Sequence, residues 1–397
     1  MLTCRARRDA WHNVSKPKAD GCRNAACRLV AHFDLPLARI ATAVFESLSF
    51  STLRNRLCEF DTVIDVRSPA EYADDHVQGA INCPVLDDEQ RVQVGTAYRQ
   101  ASPFDARKLG AALVARNIAD HIEHRFSTEP KSWRPLVYCW RGGERSGALA
   151  HVLSRIGWRT VQLLGGYKGY RRTVLDELAT LPARLDFRVL CGPTGSGKSH
   201  LLAALAGCGA QIVDLEGLAA HRGSVLGVLP DEIVQPSQRR FESLLWNALC
   251  EIDPRRAVYV ESESRKIGDL HVPSALIEAM RASACIVLEL DFNARVSSLL
   301  HDYAHLIAAP EALRTRLGYL TMLHGRQRIA QWNGLIEDAR WGDLVESLLA
   351  LHYDAAYRRS THENFGKIGQ AQRVALSSAD AESFNAAAVS IIENRTG

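Results

Sequence analysis

One run constrains the fold of this chain more than any other: Val189-Leu190-Cys191-Gly192-Pro193-Thr194-Gly195-Ser196-Gly197-Lys198-Ser199. It matches G-x-x-x-x-G-K-[ST] in full, with a strand-type apolar run before it and helix-type residues 200–206 after it. Strand, tight loop and helix in immediate succession belong to an α/β fold with a parallel sheet. The glycines let consecutive backbone N–H groups turn inward around an anion. Lys198 adds a point charge, Ser199 can ligate Mg²⁺, and the following helix N-terminus contributes partial positive charge. Gly192, Gly195, Gly197, Lys198 and Ser199 are therefore the expected phosphate-binding residues.

The rest of the chain follows the same alternation. Short apolar runs at 62–66, 79–83, 135–139 and 160–164 predict strands, with helical spacing at 106–116 and 147–156 between them. A second set follows at 187–191, 210–214, 257–261 and 285–291. Strand signals stop after residue 295, and helical stretches take over at 311–323, 343–353 and 381–392. The expected organisation is an extension over 1–46, parallel-sheet α/β domains over 47–182 and 183–295, and a helical C-terminal region over 296–397 packed on the second domain. There is no internal repeat and no low-complexity tract.

Composition sets outer limits. A length of 397 residues suits two or three domains. A hydrophobic content of 47% and a charged content of 23% are ordinary for a globular protein. No stretch approaches the ~18 uninterrupted apolar residues of a membrane span. The net charge of +3 is compatible with nucleic acid without arguing for it. Ten cysteines without a regular framework point to a reducing compartment and a cytoplasmic protein. Cys22, Cys27 and His32 match no zinc spacing, so no metal is firmly assigned. The first ~45 residues mix Arg5, Arg7, Arg8, Lys16 and Lys18 with Pro17 and Gly21, lack a secretory core, and read as a disordered extension or an over-extended gene start.

A second anion-binding loop follows the third of these strands: Cys139-Trp140-Arg141-Gly142-Gly143-Glu144-Arg145-Ser146. Backbone N–H groups, two arginines and a helix N-terminus all favour the thiolate. Cys139, Arg141 and Arg145 are the expected catalytic residues. Two chemistries share this pattern: persulfide transfer of the rhodanese type, and phosphocysteine chemistry at C-x₅-R. The residues Ile64-Asp65-Val66-Arg67-Ser68-Pro69-Ala70-Glu71-Tyr72 and His76-Val77-Gln78-Gly79-Ala80-Ile81-Asn82 resemble the opening of a rhodanese domain. Leu164-Gly165-Gly166-Tyr167-Lys168-Gly169-Tyr170 resembles its close. Rhodanese-like phosphatases share that fold, so the phosphatase stays open. In the second domain, Asp214, Glu216, Glu261 and Glu263 stand at strand C-termini, where ligands of parallel sheets bind. They are candidates for holding Mg²⁺ or acting as a base.

A rhodanese-like domain ahead of a P-loop NTPase-like domain is similar to the bacterial tRNA 2-selenouridine synthase family. The resemblance covers about 55–375 and rests on both loops. It also rests on Asp214-Leu215-Glu216-Gly217-Leu218-Ala219, His221-Arg222-Gly223-Ser224, Gln235-Pro236-Ser237-Gln238 with Phe241-Glu242, and Glu261-Ser262-Glu263-Ser264-Arg265-Lys266-Ile267-Gly268. Tyr353-Asp354-Ala355-Ala356-Tyr357 resembles a family Tyr-Asp-Pro-x-Tyr segment, with alanine in place of proline.

The resemblance implies a tRNA-modifying transferase that replaces sulfur by selenium in wobble 2-thiouridine. Selenophosphate is the donor, and an S-geranyl intermediate is made from geranyl diphosphate. A thiocarbonyl sulfur is a poor leaving group until alkylated, and the pyrophosphate expelled on alkylation needs stabilising charge. The phosphate loop is therefore expected to hold a diphosphate and need not hydrolyse ATP. No tightly bound cofactor is expected, and Mg²⁺ is a candidate ion. The expected partners are the tRNA anticodon loop and a selenophosphate-supplying enzyme, with no membrane. Splayed loop bases are read by aromatics and arginines. Arg222, Arg239, Arg240, Arg265 and Lys266 around the P-loop crevice are the first candidates for RNA contact, with Arg171, Arg172, Arg326 and Arg328 behind them; Trp140 is a candidate either to stack on a base or to pack against its own domain. The alternatives are a P-loop kinase or NTPase with a rhodanese-like sensor or phosphatase module, and a non-enzymatic RNA scaffold.

Overall fold

The computed structural model describes residues 45–224, 226–227, 233–357 and 364–393. The expected extension up to residue 44, with Cys22, Cys27 and His32, lies outside the described residues.

The first sheet comprises β1 (Glu46–Ser49), β2 (Thr62–Asp65), β3 (Ile81–Asn82), β4 (Pro135–Tyr138) and β5 (Val161–Leu164). All pairings are parallel, in the order β1-β5-β4-β2-β3. Every residue of the central β4 is buried, as expected of a parallel strand covered on both faces. β1 gave no strand signal, because Glu-Ser-Leu-Ser has one apolar residue in four; backbone pairing along β5 builds it.

The second sheet comprises β6 (Asp186–Cys191), β7 (Gln211–Val213), β8 (Ala257–Glu261), β11 (Ala284–Leu290) and β12 (Gln372–Leu376), again all parallel, in the order β12-β11-β6-β8-β7. A small antiparallel hairpin, β9 (Lys266–Ile267) with β10 (Leu270–His271), lies after β8. β12 corrects the expectation that strands end at 295. Gln-Arg-Val-Ala-Leu is a mostly exposed edge strand, so its apolar signal is weak, and its partner β11 is remote in sequence. After β12, helix Ala381–Glu393 returns and buries Phe384, Ala388 and Ile391 against Leu201, Leu202 and Leu205 of helix Lys198–Gly207.

Two expected helices are redrawn. The 311–323 stretch divides into Pro310–Gly318 and the start of Thr321–Glu337, which is itself broken at Gly325 by a positive φ. The 343–353 stretch is Trp341–Leu348 followed by a π-turn over Leu349–Tyr353. Among the described residues no helix is long and apolar enough to cross a membrane.

Helix Gln238–Cys250 of the second domain packs on helix Gly166–Leu178 of the first. Phe50, Tyr170 and Trp246 form an aromatic triangle there, with ring centroids 4.9–5.9 Å apart, and Tyr167, Phe241 and Leu245 belong to one continuous buried cluster. Buried Asp75 is the polar centre: it accepts from the Tyr167 hydroxyl at 2.9 Å and the Ser243 hydroxyl at 2.8 Å. Around it Arg239 pairs with Asp74 at 2.7 Å, Arg240 donates to the His76 carbonyl at 3.1 Å, and Arg171 pairs with Glu242. Three of the arginines considered for RNA thus join the domains instead. Asp75→Ala leaves two buried hydroxyls unpaired, so a loss of about 1–3 kcal/mol is expected, measured as a lower urea midpoint.

Candidate active site

Each sheet carries one anion loop at the C-terminal end of a central strand. In the first, β4 ends at Tyr138 and Cys139 follows, 4% exposed. The loop closes onto helix Glu144–Ile156. The Ser146 hydroxyl donates to Cys139 Sγ at 3.2 Å, and Gln162 Nε2 donates to Ser146 Oγ at 2.8 Å and to the Gly142 carbonyl at 3.0 Å. Burial opposes the thiolate. The Ser146 hydroxyl and the backbone N–H groups of Ser146, Arg141 and Gly143 outweigh it and hold the thiol below its ordinary value.

The Gly165-Gly166-Tyr167-Lys168 segment is what shapes this loop. Tyr167 N–H donates to the Cys139 carbonyl at 2.8 Å and Lys168 N–H to the Trp140 carbonyl at 2.9 Å. Gly166 sits at φ +54°, and a side chain there would collide with the Cys139 carbonyl.

Of the expected catalytic residues, Arg141 stands exposed at the rim. Arg145 is half-buried and bonded to Glu71 at 2.8 Å, so its charge is already engaged. Arg67, buried, forks onto Asp65 and lies 4.0 Å from the Tyr167 ring centroid, which makes the Asp-Val-Arg segment a positioning element. Trp140 packs on Tyr167 with ring centroids 5.2 Å apart.

In the second sheet, β6 feeds the 192–199 loop. Gly197 has φ +82°, and a side chain there would strike the Phe384 ring. Lys198 Nζ lies 2.9 Å from the Gly192 carbonyl, and the Ser199 hydroxyl donates to Glu216 Oε2 at 3.1 Å. Glu261 is fully buried, and neither of its carboxyl oxygens has a hydrogen-bond partner among the described residues. Burial, then the neighbouring Glu216 charge, pushes the Glu261 and Glu263 carboxyls up to about 8. Burial also raises Glu216, against the pull of Lys198. Asp214 is committed differently: it caps helix Leu215–Ala219, accepting from Gly217 N–H at 2.7 Å.

A hydroxyl with crowded, under-bonded carboxyls is a hard oxygen donor set, and it suits Mg²⁺. The Ser199 hydroxyl and the Glu216 carboxyl bonded to it are the pair that fits. No group of three metal-ligating His, Cys, Asp or Glu side chains occurs among the described residues, so a cation here would draw further ligands from water and substrate oxygens, as Mg²⁺ does.

The loop opens into a cleft of about 620 Å³, lined among others by Glu216, Arg222, Glu263, Arg265, His352 and Tyr353. Arg222 lies 4.9 Å from the Tyr303 ring centroid and donates to the Asp302 carbonyl at 2.7 Å. Arg265 lies exposed at the cleft, and exposed Lys266 pairs with Asp269 at 3.5 Å. Arg172 and Arg326 are exposed elsewhere.

Sequence reading missed Arg295. It is 5% exposed and donates to the Thr194 carbonyl of the phosphate loop at 2.8 and 3.0 Å, and to Asp354 at 2.6 and 3.0 Å. Nothing around residue 295 announces this, because its partner is 59 positions away. The one available signal was the quoted Tyr353-Asp354 segment, whose aspartate now has a role.

Fold and loops together define a two-domain protein with a rhodanese-type cysteine loop and a P-loop cleft on one chain. The family model described as Rhodanese-like domain matches residues 49–173, and the one described as tRNA 2-selenouridine synthase AAA domain matches 185–318. Relatives named tRNA 2-selenouridine synthase include the Alcanivorax borkumensis protein, 32% identical over 77% of this chain and 92% of that protein. The Cupriavidus pinatubonensis protein is 34% identical over 74% and 87%, and the Bdellovibrio bacteriovorus protein is 33% identical over 63% and 66%. The chain belongs to the tRNA 2-selenouridine synthase family.

The Cys139 environment makes a checkable statement about pH. A lowered thiol pKa raises the thiolate fraction at any given pH above that of an ordinary cysteine, and that fraction falls as pH drops through the folded value. Alkylation by iodoacetamide is expected to show a midpoint below that of an ordinary cysteine. Ser146→Ala is expected to move the midpoint upward and slow labelling at pH 7, read by mass spectrometry of the labelled peptide.

Proposed function

We propose that this chain is a tRNA-modifying transferase that replaces the sulfur of wobble 2-thiouridine with selenium, through an S-geranyl intermediate. The observation that carries the reading is the pairing, on one chain of this family, of a thiolate loop with a separate phosphate cleft rich in protonatable acids. The names of the relatives support the tRNA and selenouridine parts.

In the first step the thiouridine sulfur attacks the allylic carbon of geranyl diphosphate. A C–S bond forms, the C–O bond breaks, pyrophosphate leaves, and the base loses its N3 proton. The loop amides and Lys198 receive the developing charge, and a Mg²⁺ held by Ser199 with the neighbouring carboxyls would supply more. Glu263, in the cleft, is the proposed proton acceptor.

In the second step the Cys139 thiolate attacks the phosphorus of selenophosphate. An S–P bond forms and the Se–P bond breaks, releasing hydrogen selenide, which displaces geranylthiolate from C2 of the uridine. Water then cleaves the S–P bond to give phosphate. This assigns phosphocysteine-type chemistry to a rhodanese-type loop. Arg141 and the loop amides hold the phosphoryl oxygens, and Arg145, bound to Glu71, fixes the loop. Arg265 and Arg222 at the cleft are the proposed RNA contacts. The site of action is the cytoplasm, with selenophosphate supplied by a separate enzyme.

Lys198→Ala is expected to abolish geranylation of a thiouridine-containing anticodon stem-loop, by at least about 100-fold, the scale of losing a principal transition-state charge contact. Cys139→Ser is expected to leave geranylation intact and block selenation. Both activities are read by mass spectrometry of the nucleoside. Geranyl transfer by Lys198→Ala, or loss of both steps in a folded Cys139→Ser, contradicts the division of labour. ATP turnover without tRNA would favour the kinase or NTPase reading.

A further inference from the structure

A helical hairpin of the first domain leaves most of its surface to solvent. Its two arms, helices Asp88–Gln100 and Pro103–His121, pack on each other, closely enough that a Cβ at Gly110 would lie 3.4 Å from Val94. The first arm has no buried residue, and the second buries only Ala106, Ile118 and His121. Ordinary surface helices bury an apolar stripe. Here instead Val92, Tyr98 and Phe104 are 64%, 58% and 66% exposed. The stretch 91–116 also holds five basic residues, Arg91, Arg99, Arg107, Lys108 and Arg116, against one acid, Asp105. That net charge of +4 exceeds the +3 of the whole chain.

We infer that this hairpin is a docking surface for the tRNA, gripping phosphates with its arginines and unstacked bases with its two aromatic rings. The inference rests on the reading that the chain acts on tRNA, and it adds a contact surface outside both anion loops. Of the five cations, Arg91 and Lys108 are engaged, with Glu71 at 3.3 Å and Asp105 at 2.7 Å. Arg99 and Arg107 donate to carbonyls of their own helices, Gly95 at 3.4 Å and Pro103 at 3.1 Å, which leaves their charge for an anion. Arg116 is exposed on the second arm. Phosphates bind such cations by releasing counterions, and exposed rings stack on splayed bases. Lys108 Nζ lies 5.0 Å from the Phe104 ring centroid, so ring and charge are offered together. A second copy of the chain fits this surface worse, because a two-fold contact sets like charge against like.

The root of the hairpin ties it to the cysteine loop. Asp88 accepts from Ala70 N–H at 3.1 Å, and Arg91 lies 3.3 Å from Glu71, which holds Arg145 at 2.8 Å. One carboxylate thus links the first turn of the hairpin to the loop that carries Cys139. Each helical residue adds about 1.5 Å along the axis, so Tyr98 and Arg99 stand about 10–12 Å beyond Arg91. RNA gripped there is kept near the thiolate without occupying its loop.

The test titrates a full-length tRNA carrying wobble 2-thiouridine into the full chain at several salt concentrations. Each phosphate contact contributes about 0.7–0.9 to the slope of log affinity against log salt. The triple variant Arg99→Gln, Arg107→Gln, Arg116→Gln is therefore expected to lower that slope by about 2–3. Tyr98→Ala with Phe104→Ala is expected to weaken binding at least about fivefold, the lower bound for one lost stacked base, with little change in slope. All five side chains are exposed, so urea midpoints stay at the wild-type value and iodoacetamide labels Cys139 at the wild-type rate. Wild-type affinity and slope in both variants overturn the inference and leave the tRNA reading intact. So does a wild-type dimer that the substitutions convert to monomer with tRNA binding unchanged. Weaker binding accompanied by slower Cys139 labelling assigns the effect to the cysteine loop and overturns the inference too. If the wild-type chain itself does not bind this tRNA, the tRNA reading fails and the hairpin surface with it.

Discussion

The buried Arg295 guanidinium is the interaction on which the second half of the molecule depends. A charge removed this far from water persists only if its donors are matched. Here the Asp354 carboxylate and the Thr194 carbonyl match them. That arrangement fixes three things together: the start of the phosphate loop, the helix that carries Leu299 and Tyr303, and the turn that carries Tyr353. The helical region is thereby part of the site rather than a cover for it. Helix Ala381–Glu393 completes the enclosure, because Phe384 occupies the space a side chain at Gly197 would need.

The two anion loops use one physical device, since both extend from a central parallel strand toward a helix N-terminus. Their surroundings make them different tools. Around Cys139, donors converge on sulfur and stabilise a negative charge. Around Ser199, acids crowd together and hold protons that water would take from them. One site is built to present an anion, the other to receive one together with a cation or a proton. The interface helix Gln238–Cys250 joins them through Asp75, whose other partner, Tyr167, also donates its N–H to the Cys139 carbonyl.

Much of this was legible in the sequence, for a definite reason. The buried strands of both sheets are short apolar runs ending in glycine, cysteine or charge, and both loops are local motifs whose function lies in consecutive residues. What was illegible depends on distant partners. β1 and β12 are edge strands with little apolar signal, held by backbone bonds to β5 and β11. Arg295 gains its role from Asp354. Arg145 looked like a phosphate ligand until Glu71, in the opening segment, took its charge. Arg171, Arg239 and Arg240 looked like RNA contacts until the domain interface claimed them.

The central claim is that the chain converts thiouridine to selenouridine through an alkylated intermediate. Its most direct measurement is mass spectrometry of tRNA nucleosides from selenium-supplied cells with and without the protein. The account expects 2-selenouridine only in cells that carry it, and S-geranyl-2-thiouridine accumulating when Cys139→Ser replaces it. Identical nucleoside profiles in the presence and absence of the chain would contradict the account.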